Sequence, residues 1–84
     1  MPLTPGEVLL DEFMIPLGIT ADGLARELHV QGNQISSIID GTRRITAETA
    51  ILFGRRFGTS AELWTNLQSA HDLAVVRQKM GVAG

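Results

Sequence analysis

The sequence predicts an all-α fold of five helices. Apolar residues recur at spacings of three and four, and no stretch of convincing length alternates between apolar and polar residues as a half-buried strand would. Helix-capping residues and glycine or proline stops divide the chain into five such stretches. Because 44% of the 84 residues are hydrophobic, the chain can build a modest core, and we expect one domain over residues 1–84.

The first two helices are bounded by recognisable start and stop residues. Residues 4–7, Thr-Pro-Gly-Glu, supply an N-cap, a first-turn proline and a capping-box glutamate for the first helix. The segment Pro16-Leu17-Gly18 is expected to end that helix. Thr20 then caps a second helix, Ala21–Leu28, whose two leucines lie four residues apart and form its inner face.

A joint of three residues, 29–31, separates the second helix from a third, which we expect over Gly32–Ile39. Its isoleucines at positions i, i+3 and i+4 form one apolar face. Two short helices joined in this way form a helix-turn-helix unit, here at about residues 20–40. A turn at Asp40-Gly41 ends the unit.

The last two predicted helices make up the rest of the chain. Thr46 caps a fourth helix from Ala47 to about Phe57, and Gly58 closes it. The fifth is a longer C-terminal helix at about residues 60–79. It carries the one tryptophan of the chain.

The third helix presents a polar face opposite its isoleucines. At about 100° per residue, Asn33, Ser37 and Asp40 point away from the apolar face, and Gln34 and Ser36 lie on its flanks. Asparagine and glutamine amides can pair with adenine through two hydrogen bonds, and serine can bond several base edges. The face is therefore a candidate for reading DNA bases, although polar residues on a helix are also typical of simple solvated surface.

Two arginines follow this helix directly. Arg43 and Arg44 precede Thr46, where the fourth helix begins. Arginines beside a helix N-terminus are well placed to hold a phosphate group. Taken alone, such a basic pair is also compatible with ordinary solvated surface.

The net charge of −2 argues against a nucleic-acid binder, but its distribution does not. Residues 1–25 carry −4, residues 26–60 carry +2, and residues 61–84 are neutral. The helix-turn-helix and the helix after it are thus locally basic. This pattern predicts a narrow electrostatic footprint on DNA and an acidic face available to a basic partner.

Enzymatic and metal chemistry find little support in the sequence, and we expect neither a catalytic residue nor a cofactor. Without cysteine, disulfides, cysteine–zinc sites and thiol nucleophiles are excluded. His29 and His71 lack the spacing of a metal pair, and Glu7 and Asp11 are typical surface carboxylates of a first helical turn. With no signal-peptide pattern and no apolar run near the roughly 20 residues of a spanning helix, we expect a cytoplasmic protein with no membrane contact.

Several stretches along the chain match the pattern of one family. They are Pro5–Phe13, Pro16–Thr20, Gly41–Ala50, Phe57–Ser60, Trp64–Gln68 and Asp72-Leu73. The chain resembles the HigA-type, or VapI-like, antitoxins of the XRE (lambda-repressor-like) helix-turn-helix family. The resemblance implies a five-helix lambda-repressor-like DNA-binding domain. It also implies a homodimeric repressor that binds double-stranded operator DNA and neutralises a RelE/HigB-like mRNA-cleaving toxin.

The resemblance also assigns roles by position. It places Gly32, Asn33 and Ser37 at base edges. Gln34 occupies a phosphate-facing place in the family, although its position on the polar face makes it a candidate base contact. Phosphate contacts fall to Arg43, Arg44 and Thr46. For the dimer seam we expect the fifth helix, with Trp64, Leu67 and His71, and the first helix is the alternative.

Three positions depart from the family pattern, and they leave two alternatives open. Ala21 stands where a phosphate-holding glutamine is common, His29 where the joint commonly has glycine, and Gly32 where a long polar residue is common. The protein could therefore be a toxin-binding module with little DNA affinity. It could also be a stand-alone helix-turn-helix regulator without a toxin.

Overall fold

A computed structural model describes residues 4–81 and contains five helices and no strand in that range, which confirms the all-α prediction. Helix α1 runs through three consecutive segments, Pro5–Val8, Leu9–Met14 and Ile15–Leu17. The remaining helices are α2 at Ala21–Leu28, α3 at Gly32–Asp40, α4 at Ala47–Phe57 and α5 at Ala61–Met80. No helix within the described range is both long and apolar enough to cross a membrane.

Side-chain caps start four of the helices, as the sequence predicts. Thr4 and Glu7 form the capping box of α1, and the hydroxyls of Thr20, Thr46 and Ser60 accept backbone N–H groups of α2, α4 and α5 at 3.0, 3.3 and 3.1 Å. Each cap satisfies a donor that the helix cannot pair internally. Local sequence therefore defines these boundaries without help from packing.

Helix α1 ends within the segment Pro16-Leu17-Gly18, as expected, but Pro16 itself is still helical. It ends at Gly18, which is in the left-handed conformation with φ of 67°. Segment Leu9–Met14 is wound as a π-helix, and the N–H of Ile15 donates to the carbonyl of Leu10, five residues earlier. Pro16 has no N–H, and its ring would press on the carbonyl four residues before it. The wider π-turn leaves room for that ring, so the helix continues through Pro16 to Leu17.

The core of the fold is built from all four aromatic residues of the chain. Phe13 of α1 lies 4.9 Å from Phe57 and 5.2 Å from Trp64 between ring centroids, and Phe53 of α4 lies 5.0 Å from Trp64. Trp64 is completely buried, and its Nε1–H donates to the Thr59 hydroxyl at 2.9 Å. The cluster therefore joins α1, α4 and α5 with its only polar ring atom hydrogen-bonded.

The aliphatic part of the same hydrophobic core joins α2 to α3. Leu24, Ala25, Ile35 and Ile38 are almost fully buried, as their spacing predicts. The start of α1 packs on the end of α3 with no room for a side chain. A Cβ atom on Gly6 would lie 2.1 Å from the Ile38 carbonyl oxygen. Backbone contact at this glycine thus fixes α3 against α1.

Candidate nucleic-acid interface

Helix α3 turns its isoleucines inward and a polar face outward. Asn33, Ser36 and Asp40 are exposed, whereas Ile35 and Ile38 are buried. The burial of α3 therefore agrees with the predicted rotation of the helix, and Asn33 lies where the sequence places it.

Ser37 is less accessible than its predicted position suggests, because the following loop folds back over it. The backbone N–H groups of Thr42 and Arg43 donate to the Ser37 carbonyl at 2.9 and 3.2 Å, and the Thr42 hydroxyl donates to it at 3.3 Å. Ser37 is consequently half-buried, whereas Ser36, which was expected on the flank, is exposed.

The same loop holds Asp40 as an anion. The Thr42 hydroxyl and N–H donate to the carboxylate of Asp40 at 2.7 and 3.0 Å. These hydrogen bonds, the hydroxyl first and the backbone second, hold the pKa of Asp40 below its usual value. The end of the polar face thus carries a fixed negative charge.

Gln34 lies on the flank of α3, as predicted, and turns toward α4. It is half-buried, and its Nε2 donates to the Thr49 hydroxyl at 3.5 Å. Thr49 is itself buried in the first turn of α4. Gln34 therefore lies at the junction of the two helices.

The predicted phosphate-facing residues converge beside the start of α4. Arg43, Arg44, Thr46 and Gln34 border one depression of about 230 Å³. Arg43 is exposed and has no carboxylate within ion-pairing distance among residues 4–81. Arg44, in contrast, forms an ion pair with Asp72 of α5. The two neighbouring arginines are thus unequally available to a ligand.

The start of α3 offers the fewest side-chain groups of the polar face, both for capping the helix and for contacting a ligand. Its N-cap position, Gln31, makes no side-chain hydrogen bond to the helix. Gly32 has no side chain to offer, and the nearest atom to a Cβ built there is Oδ1 of Asp22, at 3.8 Å. Direct base contact at Gly32 is therefore limited to its backbone, next to a carboxylate.

The joint between α2 and α3 requires a left-handed residue, and that residue is His29. Its φ of 57° and ψ of 41° lie in a region where residues with a Cβ are strained, and it is the only non-glycine residue with positive φ between residues 4 and 81. Where the family commonly has glycine, His29 thus adopts the left-handed conformation at a cost in backbone strain.

Comparison with known proteins identifies the fold and the family. No family model matches the chain. It is 43% identical to virulence-associated protein I of Dichelobacter nodosus over 74 residues, covering 88% of this chain and 68% of that protein. It is 38% identical to antitoxin HigA-1 of Vibrio cholerae over 78 residues, covering 93% and 73%. The chain belongs to the HigA-type antitoxin family of helix-turn-helix proteins.

Solved structures of HigA-type antitoxins superpose closely on this chain. The Pseudomonas aeruginosa antitoxin HigA, determined with higBA promoter DNA, has a TM-score of 0.93 and 42% identity, covering 96% of this chain and 88% of that one. An addiction-module antidote protein of the HigA family from Coxiella burnetii has a TM-score of 0.89 and 39% identity, covering 95% and 87%. The predicted lambda-repressor-like helix-turn-helix fold is thereby confirmed.

The three residues predicted for the dimer seam differ in their exposure. Trp64 is completely buried in the aromatic core and offers no surface to a second chain, and Leu67 and His71 are half-buried. Further along α5, Leu73, Val76 and Met80 are 49, 49 and 71% exposed and follow one face of the helix at i, i+3 and i+7. The apolar surface of α5 is thus displaced toward its C-terminal half.

Residues of α1 and α5 support the candidate interface in ways that the sequence did not suggest. Gly6 supports α3 through backbone contact, a role that depends on a neighbour distant in sequence. Gln68 and Asp72 of α5 are bonded to the loop after α3, and only their i, i+4 spacing hinted that they act together. Among residues 4–81, no group of histidines and carboxylates is arranged to hold a metal ion.

Proposed function

We propose that this chain is a DNA-binding antitoxin that represses its own operon by binding operator DNA. The observation that carries this proposal is the convergence of the exposed face of α3 with Arg43, Arg44 and the N-terminus of α4. The family supports it, since the P. aeruginosa relative was solved with promoter DNA and shares 42% of its residues with this chain. In helix-turn-helix proteins, the second helix of the unit enters the major groove.

Within this interface, Asn33 is the foremost base-reading residue. It is exposed near the start of α3, and its amide can bond adenine at two atoms. Ser37 and Gln34 read bases from the more buried flank, and Gly32 contributes its backbone alone. Asn33 therefore carries most of the direct sequence readout available to this helix.

Phosphate contacts fall to Arg43 and Arg44, supported by Thr46. Of the two arginines, both exposed, Arg43 is the one that forms no ion pair within residues 4–81. Thr46 caps α4 and keeps that helix terminus, with its partial positive charge, beside both of them. These groups hold α3 in register on the backbone of the duplex.

A salt-dependent binding titration tests this assignment. The probe is the duplex immediately upstream of the chain's own gene, with a scrambled duplex of equal length beside it. Arg43→Ala should weaken binding to both duplexes and lower the slope of log affinity against log salt by about 0.9. Asn33→Ala should cost about 1–3 kcal/mol, mainly at one base position.

Arg55→Ala is the matched control, because it removes an exposed arginine at the opposite end of α4. Its titration should follow that of the unchanged protein. Binding that is unaffected by both Arg43→Ala and Asn33→Ala would refute the interface.

We place the homodimer seam on the C-terminal half of α5. Leu73, Val76 and Met80 form its exposed apolar stripe, and a second copy of the chain is the occupant that a palindromic operator requires. Leu73→Asp combined with Val76→Asp should yield a monomer in sedimentation velocity and weaken operator binding. Leu17→Asp, a change at an exposed leucine of α1, should leave the dimer intact. A dimer that survives the α5 double substitution would exclude this seam.

The second part of the proposed activity is neutralisation of a RelE/HigB-like toxin encoded beside this gene. The acidic surface of α1, with Glu7, Asp11 and Glu12 exposed, offers a complementary face to a basic protein. Co-expression with the neighbouring reading frame should relieve the growth arrest that this frame causes alone. Continued arrest, with both proteins present in soluble form, would contradict a toxin partnership.

An alternative function is a toxin-binding module with little DNA affinity. The carboxylate of Asp22 beside Gly32 favours it, as does the lack of a phosphate-holding side chain at Ala21. Titrating the upstream duplex with and without the neighbouring protein distinguishes the two, because a module of this kind would bind DNA weakly in both cases. Absence of any toxin gene beside this one would instead favour a stand-alone regulator.

A further inference from the structure

A chain of hydrogen bonds links α5 to the loop that carries the arginines. The backbone N–H of Ile45 donates to Oε1 of Gln68 at 2.7 Å, and Nε2 of Gln68 donates to Oδ1 of Asp72 at 2.9 Å. Nη2 of Arg44 donates to the other oxygen, Oδ2. Because Gln68 is only 6% exposed, its amide is held in place and in turn fixes the carboxylate of Asp72.

Asp72 is therefore a stationary anion beside a phosphate-facing arginine. The hydrogen bond from Gln68, followed by the hydrogen bond and charge of Arg44, keeps the pKa of Asp72 below its usual value. The carboxylate is accordingly ionised at neutral pH. Its side chain is 37% exposed and that of Arg44 is 70% exposed, so both charges are open to solvent.

A carboxylate and a phosphate bind a guanidinium in the same way. Both present paired oxygen acceptors to its fork of N–H donors, so they compete for the same edge. A phosphate that contacts Arg44 must either displace Asp72 or approach its negative charge. Arg43, the preceding residue, meets no such competitor among the residues the structure describes.

We propose that Asp72 is a positioning residue that competes with DNA phosphate for Arg44 and thereby lowers the electrostatic affinity of the interface. The proposal rests on the proposed DNA-binding function and extends it to a residue outside the helix-turn-helix. In this role the carboxylate of Asp72 takes the place of a DNA phosphate on Arg44, and the buried amide of Gln68 holds that carboxylate in position. The carboxylate thereby determines how strongly Arg44 attracts a DNA phosphate.

Asp72→Asn tests the proposal, because asparagine keeps the side-chain shape and an acceptor for Gln68 but removes the charge. We expect affinity for operator and scrambled duplexes to rise about two- to fivefold, the fold-change that corresponds to a partly exposed ion pair. The salt slope should steepen by up to about 0.9, which reports one added phosphate contact. A merely structural role for Asp72 would not steepen that slope.

Two further comparisons isolate the competition. In an Arg44→Ala background, Asp72→Asn should raise affinity no more than Glu48→Gln does and should leave the slope unchanged, because the contested guanidinium is gone. Glu48→Gln is the matched control, since Glu48 is an exposed carboxylate of α4 that borders the depression beside Arg43 and Arg44 and forms no ion pair within residues 4–81. It should raise affinity less than Asp72→Asn does. Circular dichroism of each variant verifies that the fold is retained.

The outcomes separate this inference from the function on which it rests. If the unchanged protein binds its operator and Asp72→Asn weakens binding, leaves it unchanged, or strengthens it equally without Arg44, the competition is refuted and the operator function stands. If neither the unchanged protein nor Asp72→Asn binds DNA at low salt, both are refuted.

Discussion

The region where α1, α4 and α5 meet and the region formed by α2 and α3 are stabilised in different ways. The first contains every aromatic ring of the chain, with centroids about 5 Å apart at its centre and the indole N–H satisfied by Thr59. The second relies on a few aliphatic side chains between two short helices. It contains a strained His29, an uncapped start of α3 and the carboxylate of Asp22 nearby.

The aromatic region thus serves mainly the stability of the domain, whereas the α2–α3 region carries the face proposed for recognition. Large rings bury much area and pack in preferred geometries, so we expect the largest losses of stability from substitutions in the aromatic region. In the α2–α3 region, α3 buries its isoleucines and leaves the opposite, polar face exposed to solvent. The two regions should therefore respond to substitution with different readouts.

The largest effect is expected at the centre of the aromatic region. Trp64→Ala should lower the free energy of unfolding by about 3–5 kcal/mol, because it removes a fully buried ring and leaves a cavity. Urea unfolding followed by circular dichroism measures the loss. Leu17→Ala, at an exposed leucine, should change stability by less than about 0.5 kcal/mol. Similar losses for the two variants would contradict the contrast between core and surface.

The next effect should link the two regions. Gly6→Ala introduces a methyl group 2.1 Å from a backbone oxygen of α3, so the two helices must move apart. We expect a loss of roughly 1–3 kcal/mol, the range for overpacking, together with weaker operator binding because α3 is displaced. Urea titration and the DNA titration measure the two changes. Unchanged values in both would show that α1 does not position α3.

A gain in stability is expected at the joint of the α2–α3 region. His29→Gly should raise the free energy of unfolding by about 1 kcal/mol, since glycine adopts the left-handed conformation without strain. His29→Ala is the matched control, because it removes the imidazole but keeps the Cβ atom. If both variants gain equally, the imidazole and not the backbone strain is responsible.

The smallest effect should come from the first residue of α3. Gly32→Ala should raise stability by about 0.5 kcal/mol, because alanine favours a helix and its Cβ would meet no atom closer than 3.8 Å. Gly41→Ala provides the contrast, since Gly41 has φ of 87° and should lose stability when substituted. Denaturant midpoints of the two variants should therefore move in opposite directions. A loss at Gly32 would indicate that its backbone is not free to take a side chain.

Local signals predicted the helices, their caps and the orientation of α3. Thr4, Thr20 and Thr46 cap through residues three positions away, so the sequence alone carries that information. The isoleucines of α3 likewise report which face is buried. Asn33 on the opposite face followed directly from them.

Contacts between segments that are distant in the sequence could not be predicted from these local signals. The burial of Ser37 depends on how the loop at Thr42 folds back, and the role of Gly6 depends on a carbonyl of α3. Gln68 bonds the N–H of Ile45, 23 residues earlier in the chain. Trp64 was predicted for the dimer seam, whereas the packing of three phenylalanines around it places it in the core.

The completely buried position of the one tryptophan gives the molecule a built-in optical reporter. Its emission originates in the aromatic cluster, away from the open face of α3, and shifts to longer wavelength only when the indole reaches water. Ligand binding at α3 should leave that emission unchanged, whereas opening of the core should alter it. The emission can thus report the integrity of the fold throughout a DNA titration, while occupancy of the α3 face is measured by a separate signal.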